Sequence, residues 1–146
     1  MNLTVDASVF VAAARVEEIH YSASRQFLLQ ARAHDATLFC PALVLPECAA
    51  AIARPTGDSA LAEELVDLIE SFPGMQLVPL EVHLARQAVQ SATNHRLRGA
   101  DSVYVAVADT FDATLITWDA EMLERGPRMV ETVTPSHWLE VLGIPR

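Results

Sequence analysis

The stretch ADSVYVAVADTFDATLITWD, Ala100 to Asp119, decides the architecture. From Ala100 to Phe111 it is apolar nearly all round, as a helix is when protein covers it on every side. Asp112 then reads as a turn and Thr114–Thr117 as a strand. A buried helix feeding a short apolar strand is what a parallel sheet sheathed in helices requires. The same alternation runs through the rest of the chain. Leu3–Val5 is a short strand, and the segment from Glu17 to His34 places Ile19, Ala23, Phe27 and Ala31 at helical spacing. Thr37–Cys40 reads as a strand, Leu45–Ala53 as a helix, and Ser59–Phe72 as a helix carrying Leu61, Leu65, Val66 and Ile69. Gln76–Val78 is a further strand, followed by a helix with Val82, Ala85, Val89 and Ala92 on one stripe. After the opening stretch come a short helix at Asp119–Glu124 and a last strand at Met129–Val133. Thr134 and Pro135 then supply the N-cap and first residue of a closing helix. The expectation is an α/β fold, a three-layer α/β/α sandwich with a central parallel sheet, formed by one domain over residues 1–146.

Composition narrows the function classes. Hydrophobic residues make up 51% of the chain and charged residues 20%, which excludes a disordered chain. No run reaches the roughly 18 uncharged apolar residues of a membrane span. MNLTVDASVFVAAA has no basic n-region and is interrupted by Asp6, so it reads as a first strand and turn rather than a signal peptide. A cytoplasmic location is expected. Cys40 and Cys48 lie in apolar surroundings and read as buried thiols. His20, His34, His83, His95 and His137 show no metal-ligand spacing. The net charge of −9 argues against non-specific nucleic-acid binding, and all ten basic residues are arginine.

The candidate site consists of acids. In open parallel sheets, ligands bind outside the carboxyl ends of the strands. Asp6 and Asp119 stand there, after the first and fourth strands, while Glu47 and Asp101 open helices expected near the sheet centre. Taken singly, each acid is better explained as a helix cap or first-turn acid. Four together at one rim would repel one another strongly unless a cation neutralised them. Oxygen-only ligation selects a hard ion, Mg²⁺ or Mn²⁺. Asp109 reads as a structural pairing residue, and Trp118 and Trp138 as core or interface aromatics.

VDASVFVAA, LPECAAAIAR, RGADSVYVAVA and LITWDAEML resemble, in order and spacing, the four acidic motifs of the PIN domain. The likeness runs from Leu3 to about Leu142 and is nearest to the VapC toxin ribonucleases of toxin–antitoxin pairs. It implies metal-dependent hydrolysis of RNA phosphodiester bonds, with Asp6 and Asp101 as direct metal ligands. Glu47 and Asp119 would complete the site or orient metal-bound water, and Ser8 and Thr117 would brace the ligands. Arg15, Arg96 and Arg98, close in sequence to Asp6 and Asp101, are the candidate RNA contacts. The resemblance also implies a cognate antitoxin, whose helix would enter a groove lined by Ile19–Ala33 and Leu61–Phe72. A homodimer is a further expectation.

Rival readings exist. A receiver domain needs a lysine that this chain lacks, and a haloacid-type phosphatase needs D-x-D where the chain has Asp6-Ala7-Ser8. A PIN-like protein that binds a partner or RNA without cleavage is the main alternative, and the same chemistry on DNA is another.

Overall fold

The structure is a computed structural model that describes residues 1–145. Five strands lie parallel in one sheet, in the order β3-β2-β1-β4-β5. They are β1 (Asn2–Val5), β2 (Thr37–Pro41), β3 (Met75–Val78), β4 (Thr114–Ile116) and β5 (Thr132–Val133). Between β1 and β2 come α1 (Ala7–Ala14) and α2 (Tyr21–Ala33), and between β2 and β3 come α3 (Val44–Thr56) and α4 (Ser59–Glu70). The helices α5 (Val82–His95) and α6 (Gly99–Thr110) connect β3 to β4; α7 (Ala120–Arg125) leads to β5, and α8 (Pro135–Val141) closes the described chain. The result is the expected three-layer α/β/α sandwich.

The layering follows from the connections. The chain moves outward from β1 to β2 to β3, then crosses back to place β4 on the other side of β1. Right-handed crossovers in opposite directions put their helices on opposite faces. Strand alternation agrees: Phe39 and Val78 pack against Leu84, Ala88, Val103, Ala106 and Val107 of α5 and α6. Leu38 and Cys40 join the larger cluster with Phe27, Ile52, Leu65 and Leu139. The pivot of the topology is the gap between β1 and β4, paired through Leu3–Thr114 and Val5–Ile116.

The expected elements recur with shifted edges, and four details differ. The N-terminal segment continues beyond its strand into α1, because Asp6 caps an alanine-rich run that favours helix. The helix expected from Glu17 begins only at Tyr21, leaving Ile19 89% exposed and outside the stripe that buries Ser24, Phe27 and Ala31. On α5 the buried stripe is Leu84 and Ala88, whereas Val82 and Val89 face solvent, since period alone does not say which side meets the sheet. Asp109 is exposed and has no ion-pair partner among the described residues, whereas Asp112 forms the expected turn with φ 48°. Cys40 and Cys48 are buried and free, and no described helix is long and apolar enough to cross a membrane.

One backbone joint is unusually demanding. Gly74 enters β3 at φ 83°, and a Cβ there would collide with the carbonyl oxygen of Ala36. Its own carbonyl accepts from the Leu38 N–H at 2.9 Å, which starts the β2–β3 pairing. Gly74→Ala should therefore destabilise the protein by about 2 kcal/mol or more, read as a lowered urea midpoint. An unchanged midpoint would show that the joint tolerates a side chain.

Candidate active site

The carboxyl ends of β1 and β4 open into a cavity of about 510 Å³, and Asp6, Glu47, Asp101 and Asp119 all line it. Each arrives by a local device. Asp6 leaves β1 as the N-cap of α1, and Asp119 leaves the loop after β4 as the N-cap of α7. Glu47 and Asp101 sit in the first turns of α3 and α6, where helix dipoles favour negative charge.

Asp6 is the most constrained. Only 7% of the residue is exposed, and each hydrogen bond to its carboxylate ends on Oδ2. The Ser8 hydroxyl donates to that oxygen at 2.6 Å and the buried Thr117 hydroxyl at 2.9 Å. Both hydroxyls are themselves oriented by backbone: Trp118 N–H donates to Ser8 Oγ at 3.1 Å, and Asp119 N–H to Thr117 Oγ1 at 3.0 Å. The arrangement leaves Oδ1 without a protein hydrogen bond among the described residues. Glu47 is held by the Tyr104 hydroxyl, which donates to its Oε1 at 2.7 Å.

Asp101 and Asp119 meet through Arg98. Its Nε lies 3.0 Å from Asp101 Oδ2, and a terminal nitrogen lies 2.7 Å from Asp119 Oδ2. The same Nε is 3.5 Å from Glu121 Oε2. Asp101, Asp119 and Glu121 offer carboxylate oxygens within 4.8 Å of one another. Arg98 thus fills the role of a cation among three acids. Its side chain is 62% exposed, so its ion pairs contribute little to stability and are open to displacement.

The other arginines lie elsewhere. Arg15 pairs with Glu17 at 2.8 Å and with Glu18 at 3.5 Å. Arg96 is an exposed residue at φ 55° whose carbonyl accepts from Arg125 at 2.6 Å. Sequence reasoning missed Glu121, which stands in LITWDAEML two residues after Asp119, and Tyr104, whose spacing of three from Asp101 does place it on the same side of α6. Trp138 is core, edge-on to Phe27, whereas Trp118 borders the cavity together with His20.

Burial raises the Asp6 carboxyl, opposed by its hydrogen bonds from Ser8 and Thr117 and reinforced by Asp119. Burial also raises Glu47, opposed by the Tyr104 hydroxyl and reinforced by Asp6 and Asp101. Asp101 is likewise raised by burial, with Arg98 opposing and Asp119 and Asp6 reinforcing. Folding therefore disfavours these ionised forms, so stability is gained as pH falls through the raised folded values and is complete below the ordinary carboxylate range of about 4. In chelator, Glu47→Gln, which keeps an acceptor for Tyr104, should melt above the wild type near pH 7, with an advantage that shrinks as pH falls toward the ordinary carboxylate range of about 4. Parallel melting curves for the two proteins across that window would remove Glu47 from the repelling cluster.

No curated protein matches the sequence. Among solved structures, a chain of VapBC2 from Rickettsia felis, bound to a DNA fragment from its promoter, superposes with TM-score 0.71 at 14% identity. The match covers 92% of this chain and 98% of that one. VapC20 from Mycobacterium tuberculosis, described as a Sarcin-Ricin loop cleaving toxin, gives TM-score 0.70 at 16% identity over 84% of this chain and 93% of that one. FitAcB from Neisseria gonorrhoeae gives TM-score 0.68 at 19% identity over 94% and 99%. At these identities the likeness is one of fold. The sequence itself matches the PIN domain family over residues 3–126, and the chain belongs to that family.

Proposed function

We propose that the chain is an endoribonuclease dependent on Mg²⁺ or Mn²⁺ and the toxin of a toxin–antitoxin pair. The observation that carries this reading is the meeting of Asp6, Glu47, Asp101 and Asp119 in one cavity at the β1–β4 pivot. A divalent ion suits this site, because its donors are hard carboxylate oxygens and Arg98 already answers their need for positive charge. When bound, such an ion supplies a polarised phosphodiester and a more acidic attacking water.

The chain's own residues do the rest. In this reading Asp6 and Asp101 hold the metal directly, while Glu47 and Asp119 complete the site or orient the attacking water. Ser8 and Thr117 keep Asp6 Oδ2 occupied, so that Oδ1 faces the ligand, and Tyr104 fixes Glu47. Once displaced from the acids, Arg98 is the arginine best placed for an RNA phosphate. Arg15 is engaged by Glu17 and Glu18, and Arg96 is exposed on the turn before α6, so both are assigned weaker contacts at the rim. In this reading residues 1–146 form a single PIN-like domain that acts as one catalytic unit.

The toxin reading draws on a second feature. A groove of about 490 Å³ lies between α2 and α4 over α1, lined by Phe10, Leu28, Leu29, Leu61, Leu65 and Leu68, among others. Leu29 and Leu68, on the two helices that border the groove, are 62% and 60% exposed. An amphipathic antitoxin helix would cover them. The homodimer expected from the sequence belongs to the same proposal, with Val82 and Val89 as exposed apolar residues on one stripe of α5.

Asp6→Asn and Asp101→Asn should each lower cleavage of single-stranded RNA by about 100-fold or more with the fold retained. Chelator should abolish activity, and Mg²⁺ or Mn²⁺ should restore it. Wild-type rates in both variants would exclude the site, and full activity in excess chelator would exclude the metal.

Expression of the chain alone should slow growth, and the adjacent small gene should relieve it. Leu29→Asp combined with Leu68→Asp should lose that relief while still cleaving RNA. Harmless solo expression, with this chain alone recovered from its operon, would remove the toxin role and leave the nuclease standing.

A further inference from the structure

His20 and Trp118 stack face to face, with ring centroids 3.7 Å apart and planes 4° from parallel. Both border the cavity of the four acids, and neither has a part in holding a metal. The indole is fixed firmly. Its Nε1–H donates to Ser24 Oγ at 2.8 Å, and Ser24 is fully buried. Its backbone N–H donates to Ser8 Oγ, the same hydroxyl that donates to Asp6. Trp118 is therefore tied through one hydroxyl to the carboxylate at the centre of the site and is followed directly by Asp119. A tryptophan that serves only as core hides as Trp138 does, at 7% exposure, whereas Trp118 and His20 are both partly open.

Charge supplies the second part of the argument. A chain of net charge −9 gains little from long-range attraction to a polyanion. Affinity for RNA then needs a contribution independent of charge, and stacking of a base on an aromatic face is one that tolerates any sequence. A base inside an A-form duplex has both faces covered, so only an unpaired base can reach such a platform.

We propose that the His20–Trp118 stack docks one unpaired nucleobase of the substrate beside the scissile phosphate. This rests on the nuclease reading above. The base adds to an existing stack whose orientation relative to Asp6 is fixed, which sets the position of the adjoining phosphate over the carboxylates.

The test is a coupling cycle in Ca²⁺, using RNA hairpins with a randomised loop of roughly eight nucleotides. One abasic nucleotide is stepped through the loop, and a fully paired duplex serves as the comparison. The wild type should bind the hairpin more tightly than the duplex and lose about tenfold at one abasic position. His20→Ala should show the same loss with the intact loop and be indifferent to that abasic position. His20→Phe should restore both affinity and abasic sensitivity, which a merely structural histidine would not do. Trp118→Leu, with its melting temperature recorded, gives a second route should His20→Ala disturb the start of α2. Equal binding of loop and duplex, or additive losses from the variant and the abasic site, would overturn the platform. If RNA is still cleaved with Mg²⁺ in that case, the nuclease reading survives. If the wild type neither binds these RNAs in Ca²⁺ nor cleaves any of them with Mg²⁺ or Mn²⁺, both fall.

Discussion

The dominant constraint in this molecule is the burial of carboxylates gathered where β1 and β4 end, to which their mutual repulsion adds. Asp6, Glu47 and Asp101 are each raised by burial, and each lies within the influence of another acid. Such an arrangement is unfavourable in an isolated fold and persists only because neighbouring groups over-determine it. Three devices do so here. Paired hydroxyls hold Asp6, a buried phenol holds Glu47, and a guanidinium draws Asp101, Asp119 and Glu121 together. The first two are buried or partly buried and rigid, while the third is mostly exposed and replaceable. The site is thus firm where ligand geometry must be kept and loose where a cation must enter.

That firmness depends on the sheet and on α6. From Asp101 to Ala108 α6 is buried, and it packs across β2, β1 and β4. A helix covered on every side cannot roll, so Asp101 at its first turn and Tyr104 one turn later hold fixed positions relative to Asp6. The parallel pairing of β1 with β4 completes the frame, because Thr117 and Asp119 leave one strand beside the exit of Asp6 from the other.

The apolar groove and the acidic cavity share α1. Phe10, Ala13 and Ala14 face the groove, whereas Ala7, Ser8, Val11 and Ala12 face the cavity. A short helix capped by Asp6 therefore stands between the surface suited to an apolar partner and the surface suited to a polyanion. The cavity itself combines two chemistries, a charged floor and the aromatic stack of His20 on Trp118.

Much of this was legible in the residues. The alternation of short apolar strands with amphipathic helices, and the all-round apolar run after Asp101, specify a parallel sheet covered on both faces because each pattern can be buried in only one way. The acids after successive elements, with their order and spacing, marked Asp6, Glu47, Asp101 and Asp119 as the candidate site. Other features depended on contacts between segments far apart in the chain, which periodicity does not encode. The sequence could not tell that Val82 and Val89 face solvent, that α1 follows β1 without a break, or that Ile19 lies outside its helix. Nor could it reveal that Arg98 reaches Asp119 and Glu121, that Tyr104 meets Glu47, or that His20 lies flat on Trp118. Residue order set which groups are available and on which elements they stand; only the packing of β1 against β4, with α6 clamped across them, decided which of those groups meet.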